Sequence, residues 1–527
     1  MVLRASVIVP VYEPKANFDD LIRSLDRQTL DATQFEVLLC DDGSGETTQA
    51  RLAEVARTRP NVRVLTLPHS GWPGTPRNAG IEAARGEYVF FADQDDRLFD
   101  GALERICDYA DRNSSDVVVG KVVGVGRDIP EPIFRRDIPK AELGRDPILQ
   151  MLTPHKLFRT AFLREHGIRY PEGRVRLEDH LFVMRAYFAA DTISVLASTP
   201  VYAWLKNEGS ASSARIEPET YFPHLETVLE LVEAQTEPGR LRDTLLRHWY
   251  RSKILNRFTG ARVARYPDEY RARFLEAVIP IVQAHFGPGV DAGLSLPQRV
   301  RSALLRAGRR EDALRFAEFE AGLRADARVT AARWRRDGIL SLTVDAHIVS
   351  ADGEALTFAQ TSDAADARTV WVPPAHLGID DLPPEALDAT RDLSRDRIDL
   401  GIRSREAGID RRLPGGRLRD GARRIGLNPL RAFGRYDTFT RGELSATVTH
   451  AGFTFAGPLR AEEAVVAAVG PSPLLAGRRC RLVRREDGSL ELQRQWPGGR
   501  FRDLAARATG KARRELRRRR ARARAEA

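Results

Sequence analysis

The sequence predicts an α/β protein with a mostly parallel sheet at the N-terminus, a helical region in the middle and a β-sandwich toward the C-terminus. Three patterns carry that expectation. Within the first 125 residues, short apolar runs alternate with stretches of helical spacing, the order that builds a parallel sheet. Between about 221 and 325 the apolar residues recur at helical spacing. From about 326 the period changes to two, with glycine turns between runs. The expected parts are therefore 1–220, 221–325 and 326–500, followed by a basic tail at 501–527. A chain of 527 residues is too long for one ordinary core and suits about three to four domains.

SVIVPVY, residues 6–12, reads as a valine-rich buried strand whose regular pairing should end at Pro10, which has no N–H to donate. Phe18, Leu21, Ile22 and Leu25 then recur at i, i+3, i+4 and i+7 behind Asn17, an amphipathic helix with a candidate cap. EVLLC at 36–40 is a second strand, stopped by DDGSGE, whose Gly43 and Ser44 suit a turn and a helix start. VRVLTL at 62–67 is a third strand, TPRNAGIEAARG a helix closed by Gly86, and YVFFAD a fourth strand. HLETVLELVEAQ and RDTLLRHWYRSKILNRF carry helical spacing, and within the latter His248 and Trp249 read as packing residues. FGPGVDAGLSLPQ reads as a connection, and GILSLTVDAHIV, GELSATVTHAGFTFAG and RRCRLVRREDGSLELQRQW as strands.

Composition narrows the class. Hydrophobic residues make up 42% of the chain, enough for globular folding, and no run of about 18 uncharged apolar residues occurs. The apolar stretch in MVLRASVIVPVYEP is too short for a signal peptide, so a soluble, cytoplasmic protein is expected. Cys40, Cys107 and Cys480 lie far apart without metal-type spacing, which suits a reducing compartment. The net charge of +10 belongs mostly to the tail: residues 501–527 hold 11 Lys+Arg against 3 Asp+Glu, whereas the preceding 500 residues hold 72 against 70. That tail has almost no aromatic or large aliphatic residue and so lacks a stacking platform for bases. It reads as a solvated terminus or as an electrostatic contact with anionic membrane or a polyanionic polymer, and nucleic acid is not an expected partner.

Ligands of open α/β sheets bind beyond the carboxyl ends of the strands. The polar clusters fall there: Tyr12 and Glu13 after the first strand, Asp41 and Asp42 after the second, and Asp93, Asp95 and Asp96 after the fourth. Three carboxylates within four residues repel one another unless water, a cation or a basic side chain compensates them. A dinucleotide-binding domain needs GxGxxG right after its first strand, but VYEPKANF contains no glycine. The G-V-G at 124–126 leads into DIPEP, which cannot open a helix. The oxidoreductase reading is therefore set aside.

SVIVPVYEP, DDGSGETT, GTPRNAGIEAARGEYVFFADQDD, HKLFRTAFL and LEDHLFV, in this order and spacing, resemble a family 2 glycosyltransferase of GT-A fold, a Rossmann-like mixed sheet, over about residues 4–215. The resemblance implies inverting transfer of a sugar from a UDP-sugar to an acceptor hydroxyl. It implies that Asp93 and Asp95 form the metal motif for Mn²⁺ or Mg²⁺, Asp95 as the direct ligand and Asp93 nearer the ribose, with a cation that neutralises the departing diphosphate. Asp42 is then the contact to the donor base, Pro10 and Tyr12 line the same pocket, and Arg77 reaches toward the donor and the metal carboxylates. Asp179 becomes the general base, supported by Glu178. For Asp41 a local loop role, and for Asp96 a turn or cap role, stand beside these.

The processive members of that family carry QxxRW, which is absent; the chain has YAWLKNEGSASS at 202–213, where Lys206 and Ser210 are candidates to touch the diphosphate. That departure implies a transferase adding one or a few sugars. The order of a GT-A domain, helices and β modules is similar to that of soluble transferases that decorate bacterial wall teichoic acids, whose immunoglobulin-like modules serve assembly or glycan binding. The expected partners are a UDP-sugar, a glycan or polyol-phosphate polymer or its lipid-linked precursor, the inner face of the plasma membrane and further copies of the chain. The competing expectations are a transferase for capsule, exopolysaccharide or glycolipid, and an inactive glycan-binding scaffold.

Overall fold

The computed structural model describes residues 3–206, 215–361, 367–404, 407–418, 422–434, 439–475 and 477–495. Ser210 and the basic tail, both singled out above, lie outside the described residues. The chain divides into two compact units: one runs to Ile254 and includes Ala272–Gly293, and the other holds Leu255–Arg271 and the chain from Leu294 onward.

In the first unit, β1 (Ala5–Val11), α1 (Asn17–Asp26), β2 (Phe35–Asp41), α2 (Glu46–Thr58), β3 (Val62–Thr66), α3 (Gly74–Ala83) and β4 (Tyr88–Phe91) alternate as the periodicity implies. They are followed by β5 (Arg97–Leu98), α4 (Ala102–Asn113), β6 (Val117–Val125), β7 (Leu157–Arg159), α5 (Thr160–Glu165), α6 (Glu178–Ala189) and β8 (Ile193–Leu205). The eight strands form one mixed sheet in the order β3-β2-β1-β4-β7-β6-β8-β5. β1 to β4 are mutually parallel, whereas β7 runs antiparallel to β4 and β6. The central strands β1 and β2 are buried almost end to end, as expected for strands covered on both faces.

Pro10 does not end the pairing of β1, contrary to the expectation from its missing donor. It stays in register with Cys40 of β2, while pairing to β4 stops at Ile8. Ile8 O accepts from Ala92 on the β4 side and Val11 O from Asp42 on the β2 side. The alternation points the imide nitrogen of Pro10 toward β4, past its last pair, where no ladder bond is lost. Close packing of α3 on the sheet needs a glycine: a Cβ at Gly80 would stand 2.4 Å from Ile8 Cγ2.

The helical stretch comprises α7 (Pro218–Ala234), α8 (Arg240–Trp249), α9 (Gly260–Val263), α10 (Asp268–His285), α11 (Pro288–Asp291), α12 (Leu296–Arg306) and α13 (Arg310–Gly322). Trp249 is fully buried and donates to His180 Nδ1 at 3.0 Å, the packing role its sequence context suggested. Among the described residues no helix is long and apolar enough to cross a membrane. All three cysteines are buried and free, and burial pushes the Cys40 and Cys107 thiols up to about 12.

The strand-rich region of the second unit holds β9 (Arg324–Trp334), β10 (Leu340–Val349), β11 (Thr357–Gln360), β12 (Thr369–Val372), β13 (Arg397–Ser404), β14 (Ile409–Arg417), β15 (Ala422–Leu427), β16 (Arg441–His450), β17 (Phe453–Ala461), β18 (Arg479–Arg484) and β19 (Leu490–Gln495). β17 pairs with both β16 and β9, which links two strand groups into one continuous path. β10 and β16, which share no ladder, pack on each other. Leu340, Leu342, Val344, Ala346 and Ile348 on one, and Leu444, Ala446 and Val448 on the other, bury every second side chain.

Candidate active site

Because β1, β2 and β4 are parallel, their carboxyl ends lie on one edge of the sheet and bring Tyr12, Asp42 and Asp93 together there. Antiparallel β7 delivers the residues before its first position, His155 and Lys156, to the same edge. β8, parallel to β6, ends there with Tyr202 and Leu205. Helices α3 and α6 add Arg77 and the Glu178–Asp179 pair from their first turns.

The centre of the site is the Arg77 guanidinium, buried to 4% side-chain exposure. It donates from one nitrogen to Asp179 Oδ1 and from the other to Asp93 Oδ1, each at 2.9 Å, and stands 4.0 Å from Glu178. Burial alone would lower its pKa, but Asp179, Tyr170, Asp93 and Glu178 outweigh that and hold it charged. The other oxygen of Asp93 meets His155 Nε2 at 2.9 Å. Burial would raise the Asp93 carboxyl, yet His155 and Arg77 hold it well below the usual range. Asp179 is different: burial lifts it to about 7, against the pull of Arg77, and its side chain keeps 27% exposure to solvent. Burial raises Glu178 in the same direction. Carboxyls with opposite shifts thus surround one buried cation.

On the other side, Asp42 accepts from Ser70 N at 2.9 Å and from the Ser70 hydroxyl on one oxygen, and from Gly71 N at 3.0 Å on the other. These bonds order residues 69–71, and His69 Nδ1 stands 3.2 Å from the second oxygen of the buried carboxylate. The Tyr12 ring, about half exposed, stacks on His69 with centroids 4.4 Å apart, while its backbone exchanges two hydrogen bonds with the Gln94 amide. Glu13 accepts from Gly45 N and from the Thr48 hydroxyl at the start of α2, and Asp41 accepts from Ser44 N, so both act on the local loop.

Three residues that sequence reasoning did not assign complete the site. His155 lies flat on Tyr202 with centroids 4.2 Å apart. The Tyr202 hydroxyl accepts from Asp93 N and donates to Asp96 Oδ2, and Asp96 Oδ1 accepts from Leu205 N. Burial and the neighbouring Asp93 push the Asp96 carboxyl up to about 8. Lys156 is fully buried, donates to Thr153 O, and is drawn down to about 7 by burial against the pull of Asp179. The only signals for these were the HK of HKLFRTAFL and the Y of YAWL, which become informative once β7 and β8 reach the sheet edge.

Asp93, Asp96 and His155 have ligand atoms within 4.8 Å of one another, and two carboxylates with an imidazole suit a divalent cation. Both Asp96 oxygens are already engaged, while Asp95 lies half-buried beside them and outside that triad. A separate cavity of about 240 Å³, lined by Ile22, Leu25, Phe35 and Val62 among others, sits at the amino ends of β2 and β3 and takes no part.

Residues 6–169 match the family described as Glycosyl transferase family 2, and residues 218–317 match the Glycosyl transferase TarS linker domain. The poly(ribitol-phosphate) beta-N-acetylglucosaminyltransferase TarS of Staphylococcus aureus is 35% identical over 292 residues, which are 54% of this chain and 51% of that protein. The poly(ribitol-phosphate) beta-glucosyltransferase of Bacillus spizizenii is 30% identical over 54% of this chain and 45% of its own length. The chain thus spans about half the length of the curated relatives it matches. Among solved structures, S. aureus TarS 1-349 in complex with UDP-GlcNAc superposes with a TM-score of 0.54 at 32% identity, covering 60% of this chain and 90% of that one. The longer S. aureus TarS structure, at 23% identity and a TM-score of 0.54, covers 94% of this chain and 86% of that one and shares the fold, strand-rich region included.

Proposed function

Because the chain belongs to glycosyltransferase family 2, we propose that it transfers a sugar from a UDP-sugar to a hydroxyl of a wall polymer of the poly(ribitol phosphate) kind, with inversion at the anomeric carbon. The observation that supports this reading is the Arg77 bridge, one buried cation 2.9 Å from both Asp93, which we assign to the donor, and Asp179, which we assign to the acceptor. Asp179 Oδ1 is taken by Arg77, so the remaining oxygen accepts the proton of the acceptor hydroxyl. As that hydroxyl oxygen bonds to the anomeric carbon, the bond from this carbon to the diphosphate breaks and UDP leaves with the electron pair. A carboxylate lifted to about 7 is a stronger base than a solvated one and still substantially ionised at neutral pH.

Asp42 is the contact to the donor base, and Pro10 and Tyr12 line the same pocket. Mn²⁺ or Mg²⁺ held by Asp95 with Asp93, beside the His155 imidazole, would neutralise as a Lewis acid the charge that develops on the diphosphate. Lys206, the residue after β8, is our candidate to meet the same phosphates. The arginine-rich tail attracts the enzyme to the anionic inner face of the membrane, and the strand-rich region serves assembly or glycan binding.

The test is a panel of UDP-sugars offered with poly(ribitol phosphate), capsular and exopolysaccharide polymers and a glycolipid, reading UDP release and polymer-bound sugar. Sugar incorporation into the polyol-phosphate polymer is the expected result. Incorporation only into another acceptor would replace the polymer assignment, and no UDP release from any donor would leave a scaffold.

A further inference from the structure

The loop from Pro171 to Leu177, which leads into Asp179, carries two arginines on one aromatic ring. The Arg174 and Arg176 guanidinium carbons stand 5.9 and 5.4 Å from the ring centroid of Trp72. A guanidinium over a ring face engages the ring through its π system, and the N–H edge of the exposed Arg174 matches phosphate oxygens. The loop is held at both ends. Asn78 on α3 exchanges two hydrogen bonds with the Tyr170 backbone at 2.9 and 3.0 Å, and Arg176 N donates to His224 Nδ1 at 3.2 Å. A Cβ at Gly74 would stand 2.5 Å from Pro171 O, so Trp72 and its arginines belong to two loops in close contact. Trp72 O also accepts from the Ser70 hydroxyl that binds Asp42. Arg174 is exposed and has no carboxylate partner among the described residues.

We propose that Arg174 and Arg176, stacked on Trp72, form a phosphate-recognising rim that takes a phosphodiester of the acceptor polymer. The inference rests on the transferase reading and deepens it. In a polyol-phosphate chain each hydroxyl lies close to a phosphodiester, so a hydroxyl delivered to Asp179 brings an anion to the rim a few residues ahead of it. The same guanidiniums match the phosphates of a UDP-sugar, and the two sources are separated by using both as probes.

The experiment measures binding of a fluorescent phosphodiester-linked polyol oligomer, of the matching neutral polyol and of UDP to the full chain as a function of salt. R174Q/R176Q should lose about tenfold in oligomer affinity for each arginine, the size of a charge-assisted hydrogen bond. Its salt dependence should become shallower. R174K/R176K should recover part of the loss, because charge remains and stacking is weakened, and Trp72→Leu should fall between the two. Wild-type oligomer affinity in a folded R174Q/R176Q, judged by melting temperature, overturns the proposal. So does a parallel loss for UDP, which moves the rim to the donor, or for the neutral polyol, which makes the effect structural. Failure of the transferase reading looks different: wild type releases no UDP from any donor, while oligomer binding still depends on the two arginines.

Discussion

At the scale of single residues, the site is a contest between burial and one cation. At Asp93 burial is outweighed by His155 and Arg77, whereas at Asp179 burial, joined by Glu178 and Asp93, outweighs the pull of Arg77. Asp179→Asn keeps the size and removes the proton acceptor, so transfer should fall about 10²- to 10⁴-fold with donor affinity by calorimetry little changed. Near-normal transfer removes Asp179 from the mechanism. The raised value also sets the sign of the pH dependence. The base is present only when ionised, so the rate should climb about tenfold per pH unit below about 7 and level off above it, and Asp179→Asn should flatten that limb. Asp95→Asn should weaken cation-supported donor binding and abolish turnover without changing the melting temperature. Full activity of this variant in chelator would make the cluster a turn.

Elements decide which residues meet. Parallel β1, β2 and β4 account for the clusters that sequence patterning located, since their ends share an edge by construction. Antiparallel β7 and the long β8 account for those it did not, His155 and Tyr202, because strand direction is set by pairing and not by local period. The Tyr202 hydroxyl ties the Asp93 backbone to Asp96 and thereby joins the end of β4 to β8. Tyr202→Phe should leave a buried N–H and a carboxyl oxygen without that partner and cost about 1–3 kcal/mol in denaturant unfolding. Gly80→Ala forces a methyl against Ile8 and should cost about 1–3 kcal/mol by overpacking. Stability equal to wild type would show that α3 shifts without strain.

At the scale of the whole molecule, the charge of the chain is concentrated at residues 501–527. Deleting 511–527 should reduce sedimentation with anionic liposomes, and the difference should be larger at low salt, because attraction is screened within about 8 Å at physiological ionic strength. Unchanged binding makes the tail a solvated end. Apolar period distinguished the α/β part, the helices and the strands, and carboxylates after strands fell at one sheet edge, since both signals are local, although the stretch read as a connection at 286–298 holds α11 and the start of α12. Pro10 shows where locality ends, as its effect on pairing depends on which neighbour its nitrogen faces. Asp96 shows the same, for its two acceptor bonds come from residues 106 and 109 positions away. By itself the sequence determined the kinds of element and the carboxylates they carry. Tertiary structure alone decided that Arg77 bridges Asp93 and Asp179 and that His155 stands behind Asp93, because a charge contact depends on distance in space and burial, neither of which one-dimensional spacing contains.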